Sequence, residues 1–254
     1  LPALVARFKF NAKIYFWVQD IWPETLSAAG GIKNKIILGF INWFVISTYN
    51  RCEKILVQSK AFIPKIIDQG ISKTKIFYLP NTTEDFYRPI NTNKNLLKEL
   101  PKGFKIIFAG NIGESQNLEM IIKSTEILVN KKFKINWIIL GDGRKKLSLI
   151  KKINDKGLSN FFFFMGTFPP EKMPDFFSCA DLLFVSLKKD QIFSLTIPNK
   201  VQSYMACGKP IIACLDGEGK RIIEEARCGF VSEPNNSYQL AEKIIEFKSL
   251  KSEK

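Results

Sequence analysis

The stretch PNKVQSYMACGKPIIAC, from Pro198 to Cys214, sets a basic residue and a helix start just before a Gly-Lys-Pro turn and an apolar strand. That order of parts suits a ligand bearing a diphosphate. Free backbone N–H groups and the positive end of the helix dipole converge at a helix start and hold phosphate well. Lys200 adds a point charge there, and Ser203 follows one helical turn later. Pro198 and Asn199 open the same turn. An ordinary helix-to-strand connection in an α/β domain has the same outline, so this stretch does not decide the matter alone.

Four other loops carry small or polar residues. In Gly110-Asn111-Ile112-Gly113-Glu114-Ser115-Gln116 the glycines permit close backbone approach, while Asn111 and Gln116 can hydrogen-bond an anion without charge. Gly141-Asp142-Gly143 is a weaker signal, because any tight strand-to-helix turn resembles it. Gly166-Thr167 offers backbone groups to a base edge. Gly217-Glu218-Gly219 precedes a further helix. Their shared position at one edge of one sheet points to a nucleotide pocket.

The elements that would position these loops are regular from Phe104 onward. Strands are predicted at Phe104–Ala109, Ile135–Leu140, Phe161–Met165, Leu182–Ser186 and Ile211–Leu215. Helices alternate with them, including Leu118–Val129, Lys200–Ala206, Lys220–Ala226 and one near Leu240–Phe247. This alternation means a parallel α/β sheet, whose ligands bind at the C-terminal ends of its strands. Nearer the start, Lys13–Asp20 reads as a buried parallel strand with functional groups at its end. A helix follows over Lys33–Arg51, then strands at Lys54–Ser59 and Lys75–Leu79. The Asn-, Thr- and Pro-containing run from Pro80 to Lys102 is the best boundary. The expected domains are 1–88 and 103–254, joined by a linker at 89–102.

Composition narrows the chemistry. The 254 residues include no histidine, which removes histidine general bases, Ser-His-Asp triads and histidine metal sites. The five cysteines form no CxxC pair, and their scatter suits a reducing compartment. The net charge of +14 favours anionic lipid, phosphorylated substrates or nucleic acid. The lysines are spread out and no aromatic–basic RNA signature occurs, so a nucleic-acid partner is not expected. The apolar run Ile36–Ser47 is too short to span a bilayer. It is either a buried helix or one that meets a membrane interface through Phe40, Trp43 and Phe44, with Lys33, Lys35 and Arg51 near lipid phosphates.

WVQDIWPE at Trp17–Glu24, FAGNIGESQNLE at Phe108–Glu119 and the block Pro198–Glu218 resemble bacterial retaining glycosyltransferases of the GT4 type, in particular WbuB-like O-antigen and capsule enzymes. The resemblance covers nearly the whole chain, with its motifs in matching order. It implies the GT-B fold, in which two Rossmann-like domains face a cleft, the first being incomplete here. It implies transfer of a deoxy- or N-acetylated hexose from a UDP-sugar to a polyprenyl-diphosphate-linked saccharide, with retention and without a metal or other cofactor. It also implies a cytoplasmic protein, peripheral at the inner face of the plasma membrane.

By position, the resemblance makes Lys200 the main phosphate contact and catalytic group. Asn111 and Gln116 stand where many relatives have basic residues, and Ser203 stands where relatives have a ribose-binding glutamate. Gly113, Gly141, Gly143, Gly166, Thr167, Pro198, Asn199 and Glu218 complete the expected nucleotide-sugar site. Asp20 would orient the acceptor hydroxyl or stabilise positive charge on the sugar; capping a loop or helix is its alternative role. The alternatives for the whole chain are a non-catalytic nucleotide-binding fragment and a nucleotide-sugar epimerase of the same general fold.

Overall fold

A computed structural model describes residues 2–28 and 31–252. The chain divides into two compact units, residues 1–81 with 190–197, and residues 82–189 with 198–254. The division falls at 81/82, so the polar segment after Asn81 is counted with the second unit. Within the segment read as a linker lies a short helix, Lys94–Glu99, started by Asn93, whose side chain accepts the Leu96 N–H at 3.0 Å. That cap satisfies a donor at the helix start.

The first unit contains helix α1 (Pro2–Phe10), strand β1 (Tyr15–Val18), and helices α2 (Glu24–Ala28) and α3 (Lys35–Arg51). Strand β2 (Lys54–Val57), helix α4 (Phe62–Asp68) and strand β3 (Ile76–Tyr78) follow. The three strands form a parallel sheet in the order β1-β2-β3. Ile55 and Val57 of the central strand are fully buried. The expectation of a buried first strand is corrected: among the described residues β1 pairs with β2 alone, and Tyr15, Phe16 and Trp17 are exposed, leaving Val18 buried. An apolar run signals a strand but does not distinguish a sheet centre from an edge. Helix α3 begins at Asn34, whose side chain accepts the Ile36 and Ile37 N–H groups. Tyr49 is its single buried residue, so the buried-helix reading of this apolar run does not hold.

The second unit carries the larger sheet. Its elements begin with α5 (Lys94–Glu99), β4 (Lys105–Ala109), α6 (Glu119–Asn130), β5 (Asn136–Leu140) and α7 (Lys146–Asp155). Next come β6 (Phe162–Gly166), α8 (Met173–Ser178) and β7 (Leu182–Ser186). The four-residue helix α9 (Gln191–Ser194) is counted with the first unit. The chain continues with α10 (Asn199–Ala206), β8 (Ile211–Cys214), α11 (Gly217–Glu225), β9 (Gly229–Ser232) and α12 (Ser237–Ser252).

All six strands are parallel, in the order β6-β5-β4-β7-β8-β9. This is a doubly wound α/β arrangement, with its direction of winding reversed between β4 and β7. Ile106, Phe108, Trp137, Ile139, Leu182 and Phe184 on β4, β5 and β7 form the centre of the core. Each such side chain contributes roughly 1.5–3 kcal/mol on burial. Trp137 packs edge-on against Phe184 at 5.2 Å and donates its indole N–H to Thr125 of α6 at 2.8 Å. That buried bond ties the helix layer to the sheet.

Candidate functional site

A cavity of about 600 Å³ lies within the second unit. Residues just beyond the C-terminal ends of β4, β5 and β6 line it, together with the first turns of α10. This is the switch point of the sheet, where the loops after β4 and β7 diverge and leave a crevice. Of the sequence-derived residues, Asn111, Gly141, Thr167, Asn199, Lys200 and Ser203 line it.

Gly141 brings the first two loops together. It adopts φ +127°, and a Cβ there would stand 2.0 Å from the Gly110 carbonyl oxygen. The Gly110 N–H donates to the Leu140 carbonyl at 2.9 Å, and the Gly141 N–H donates to the Gly166 carbonyl at 2.7 Å. Three successive strand ends are thus joined by backbone contact. Gly143 lies behind this floor, against Asn111 and the Ile112 carbonyl.

Lys200 is half-buried at the start of α10. Its ammonium donates to Gln116 Oε1 at 2.7 Å and sits 4.0 Å from the centre of the Phe108 ring. It forms no ion pair among the described residues. Burial pushes its pKa down to about 7. No side chain caps the start of α10, where Pro198 is the preceding residue. The cavity therefore joins a polarised cation to an uncapped helix start, a combination that attracts an anion. Gln116 enters as the orienter of this lysine and does not itself line the cavity.

The remaining candidates lie elsewhere. Gly113 borders a separate hollow of about 100 Å³. Gly166 contributes its carbonyl to the floor. Glu218 sits in the first turn of α11, and both its oxygens accept from Arg221 at 3.0 Å. It is not among the cavity-lining residues. Asp20 belongs to the first unit, on the rim of an apolar cavity of about 450 Å³ that also includes Trp17, Trp22, Phe40 and Phe44. Its side chain keeps part of its surface in solvent, and partial burial raises its carboxyl above the ordinary value.

Sequence reasoning missed Glu84, Tyr87, Phe168 and Tyr204, all of which line the larger cavity. Tyr204 is one turn beyond Lys200; its hydroxyl accepts the Ala109 N–H at 3.2 Å and donates to the Phe184 carbonyl at 3.4 Å. Those bonds fix α10 against β4 and β7, and burial pushes the phenol pKa up. The i, i+4 spacing from Lys200 was the available signal. Glu84 and Tyr87 lie in the non-periodic segment read as an approach to the linker.

Residues 90–254 match the family of glycosyl transferases group 1. The chain belongs to that family. It is 25% identical over 247 residues to a probable glycosyltransferase of Pseudomonas aeruginosa, WbjE, covering 94% of this chain and 61% of that protein. It is 26% identical over 208 residues to WcaI of Escherichia coli, described as a putative colanic acid biosynthesis glycosyl transferase, covering 78% of this chain and 50% of that one. The chain thus spans only about half to three-fifths of the length of these curated relatives. Its fold is similar to that of HepE from Anabaena, solved in complex with UDP and glucose. The TM-score is 0.75 and the identity 17%, covering 94% of this chain and 63% of that one. The α/β architecture with parallel sheets is that of GT-B glycosyltransferases.

The backbone floor yields a direct expectation. Gly141→Ala must move the Gly110 loop, because its Cβ overlaps a backbone oxygen. Thermal melting should show destabilisation of about 1–3 kcal/mol. An unchanged melting temperature would contradict the tight floor.

Proposed function

We propose that this chain supplies the donor site of a glycosyltransferase that moves a hexosyl group from a UDP-sugar, with retention, to a lipid-linked glycan in surface-polysaccharide biosynthesis. The observation that carries this reading is the cavity at the switch point, with Lys200 set against Gly110 at the start of α10. The family assignment supports sugar transfer over the epimerase alternative. The UDP bound to HepE favours UDP as the nucleotide. The names of WbjE and WcaI favour polysaccharide assembly.

In this reading Lys200 and the α10 start stabilise the diphosphate as the glycosidic bond breaks, without a resident metal. Charge developing on a departing phosphate is well matched by a fixed cation and helix dipole in a partly dry site. Thr167 and its neighbour Phe168 meet the base, and Asn111 hydrogen-bonds the phosphates from the β4 loop. Asp20 acts on the acceptor side, where its apolar cavity suits a lipid-bearing saccharide such as a polyprenyl-diphosphate glycan.

The first unit supports a peripheral membrane location. Phe40 is 65% exposed and Trp43 62% on α3, whose flanks carry Lys33, Lys35 and Arg51. Aromatic rings and basic heads in that combination bind an anionic bilayer surface. Among the described residues no helix is long and apolar enough to cross a membrane. In this reading the protein works at the inner face of the plasma membrane through the exposed aromatic and basic side chains of α3.

Lys200→Ala should weaken UDP binding by about 10- to 100-fold in calorimetry, the worth of a charged hydrogen bond. Lys220→Ala should leave it unchanged, since that lysine faces Glu224 along α11 at 3.8 Å. Equal losses would reject the assigned phosphate contact.

Binding should also depend on pH. The lysine is protonated below its free pKa of about 7 and loses its charge above it. A diphosphate stabilises the charged form, so affinity should be full near pH 6 and fall above pH 7. The limiting slope is about tenfold per pH unit. UDP-glucose is the suitable ligand, because its diphosphate stays ionised throughout. A flat profile from pH 6 to 9 would refute this linkage.

Sedimentation with phosphatidylglycerol vesicles tests the membrane contact. Replacing Phe40 and Trp43 together by serine should release most of the bound protein. Retention equal to wild type would remove α3 from the interface.

A further inference from the structure

The donor cavity has a second chemical pole besides Lys200. Two carboxylates line it, Asp142 and Glu84. Asp142 is already engaged: it accepts the Gly143 N–H at 2.7 Å and pairs with Lys146 at 3.2 Å, and these bonds hold its pKa down. Glu84 forms no ion pair among the described residues. Its side-chain hydrogen bond is a long one, 3.4 Å from the Thr83 hydroxyl.

Around Glu84 the cavity wall presents hydroxyl groups. Ser203 and Tyr87 line the cavity there, and Thr83 Oγ1, next to Glu84 in the chain, lies 3.1 Å from Ser203 Oγ. The Tyr87 N–H donates to the Glu84 carbonyl at 3.0 Å, which closes the segment into a turn. Tyr87 in turn stacks on Phe177 at 6.2 Å. The turn is therefore fixed to α10 at Ser203 and to α8 at Phe177. A carboxylate so placed repels phosphate and accepts from O–H donors. Its two oxygens match the two hydroxyls of a vicinal diol.

The spacing along α10 sets where that diol belongs. Ser203 is three residues beyond Lys200, so the two share one helix face about 5–6 Å apart. In a nucleoside diphosphate the ribose diol sits a few bonds from the α-phosphate. A phosphate at Lys200 brings the ribose beside Ser203, and hence beside Glu84.

We propose that Glu84, on the turn held by Tyr87 and Ser203, binds the ribose 2′,3′-diol of the nucleotide. This inference rests on the donor-site reading above. The acid comes from the segment after Asn81, whereas α10 itself offers only the Ser203 hydroxyl at this place.

The test compares UDP with 2′-deoxy-UDP by calorimetry on the 254-residue chain and its Glu84→Ala and Glu84→Gln variants. Wild type should bind UDP about tenfold more tightly than the deoxy analogue, the worth of one charged hydrogen bond. Glu84→Ala should lose about tenfold for UDP and little for the analogue, so the discrimination collapses. Glu84→Gln should fall between them, because an amide keeps one acceptor. Glu84 is exposed, and both variants should melt with wild type. Discrimination that persists in Glu84→Ala overturns this inference alone. A wild type that binds UDP and the analogue equally does the same. A wild type that binds neither overturns the donor-site reading and this inference together.

Discussion

A lysine ammonium held half-buried without a carboxylate partner is the feature on which the site depends. Gln116 offers Lys200 a neutral acceptor and Phe108 a ring face, and neither cancels its charge. Folding therefore works against the protonated form, which is why the pKa falls from 10.5 to about 7. The sign follows: the penalty on stability is full below about pH 7 and is relieved as pH rises towards 10.5. An arriving diphosphate relieves it at neutral pH instead. The site is less stable empty than filled, as expected where function requires a fixed charge.

Apart from the neutral Gln116 amide and the Tyr204 hydroxyl, what holds this lysine is backbone or apolar. The floor is made by Gly110 and Gly141 in direct contact, so it cannot shift without moving two strand ends. Tyr204 anchors α10 to β4 and β7 through buried bonds. Phe108, under the ammonium, belongs to the same core as Trp137 and Phe184. The position of one charge is thus set by the packing of the central strands. Donors fixed in advance of the reaction need little reorganisation when charge develops.

The parallel sheet of the second unit was legible because its strands are short unbroken apolar runs between glycine turns. The predicted segments fall within a residue or two of β4 to β8. Strand β9 was not seen, since Gly229–Ser232 offers four mixed residues and its identity comes from pairing with β8. The exposure of Tyr15, Phe16 and Trp17 on β1 was hidden for a related reason: exposure depends on which elements pack against a strand, which local sequence does not encode. In the site, the glycine loops and the α10 start could be read, as each follows a strand. Glu84 and Tyr87 could not, because nothing local in the segment after Asn81 signals its packing against α8 and α10. Glu218 drew attention through its flanking glycines, but Arg221 three residues on takes its carboxylate along the helix.

The most direct test of the account is a crystal structure of the chain soaked with UDP. The account predicts the diphosphate within hydrogen-bond distance of Lys200 Nζ and at the first turn of α10, with the base against the Gly166–Phe168 loop. A diphosphate bound away from Lys200, with the ammonium still on Gln116, would contradict it.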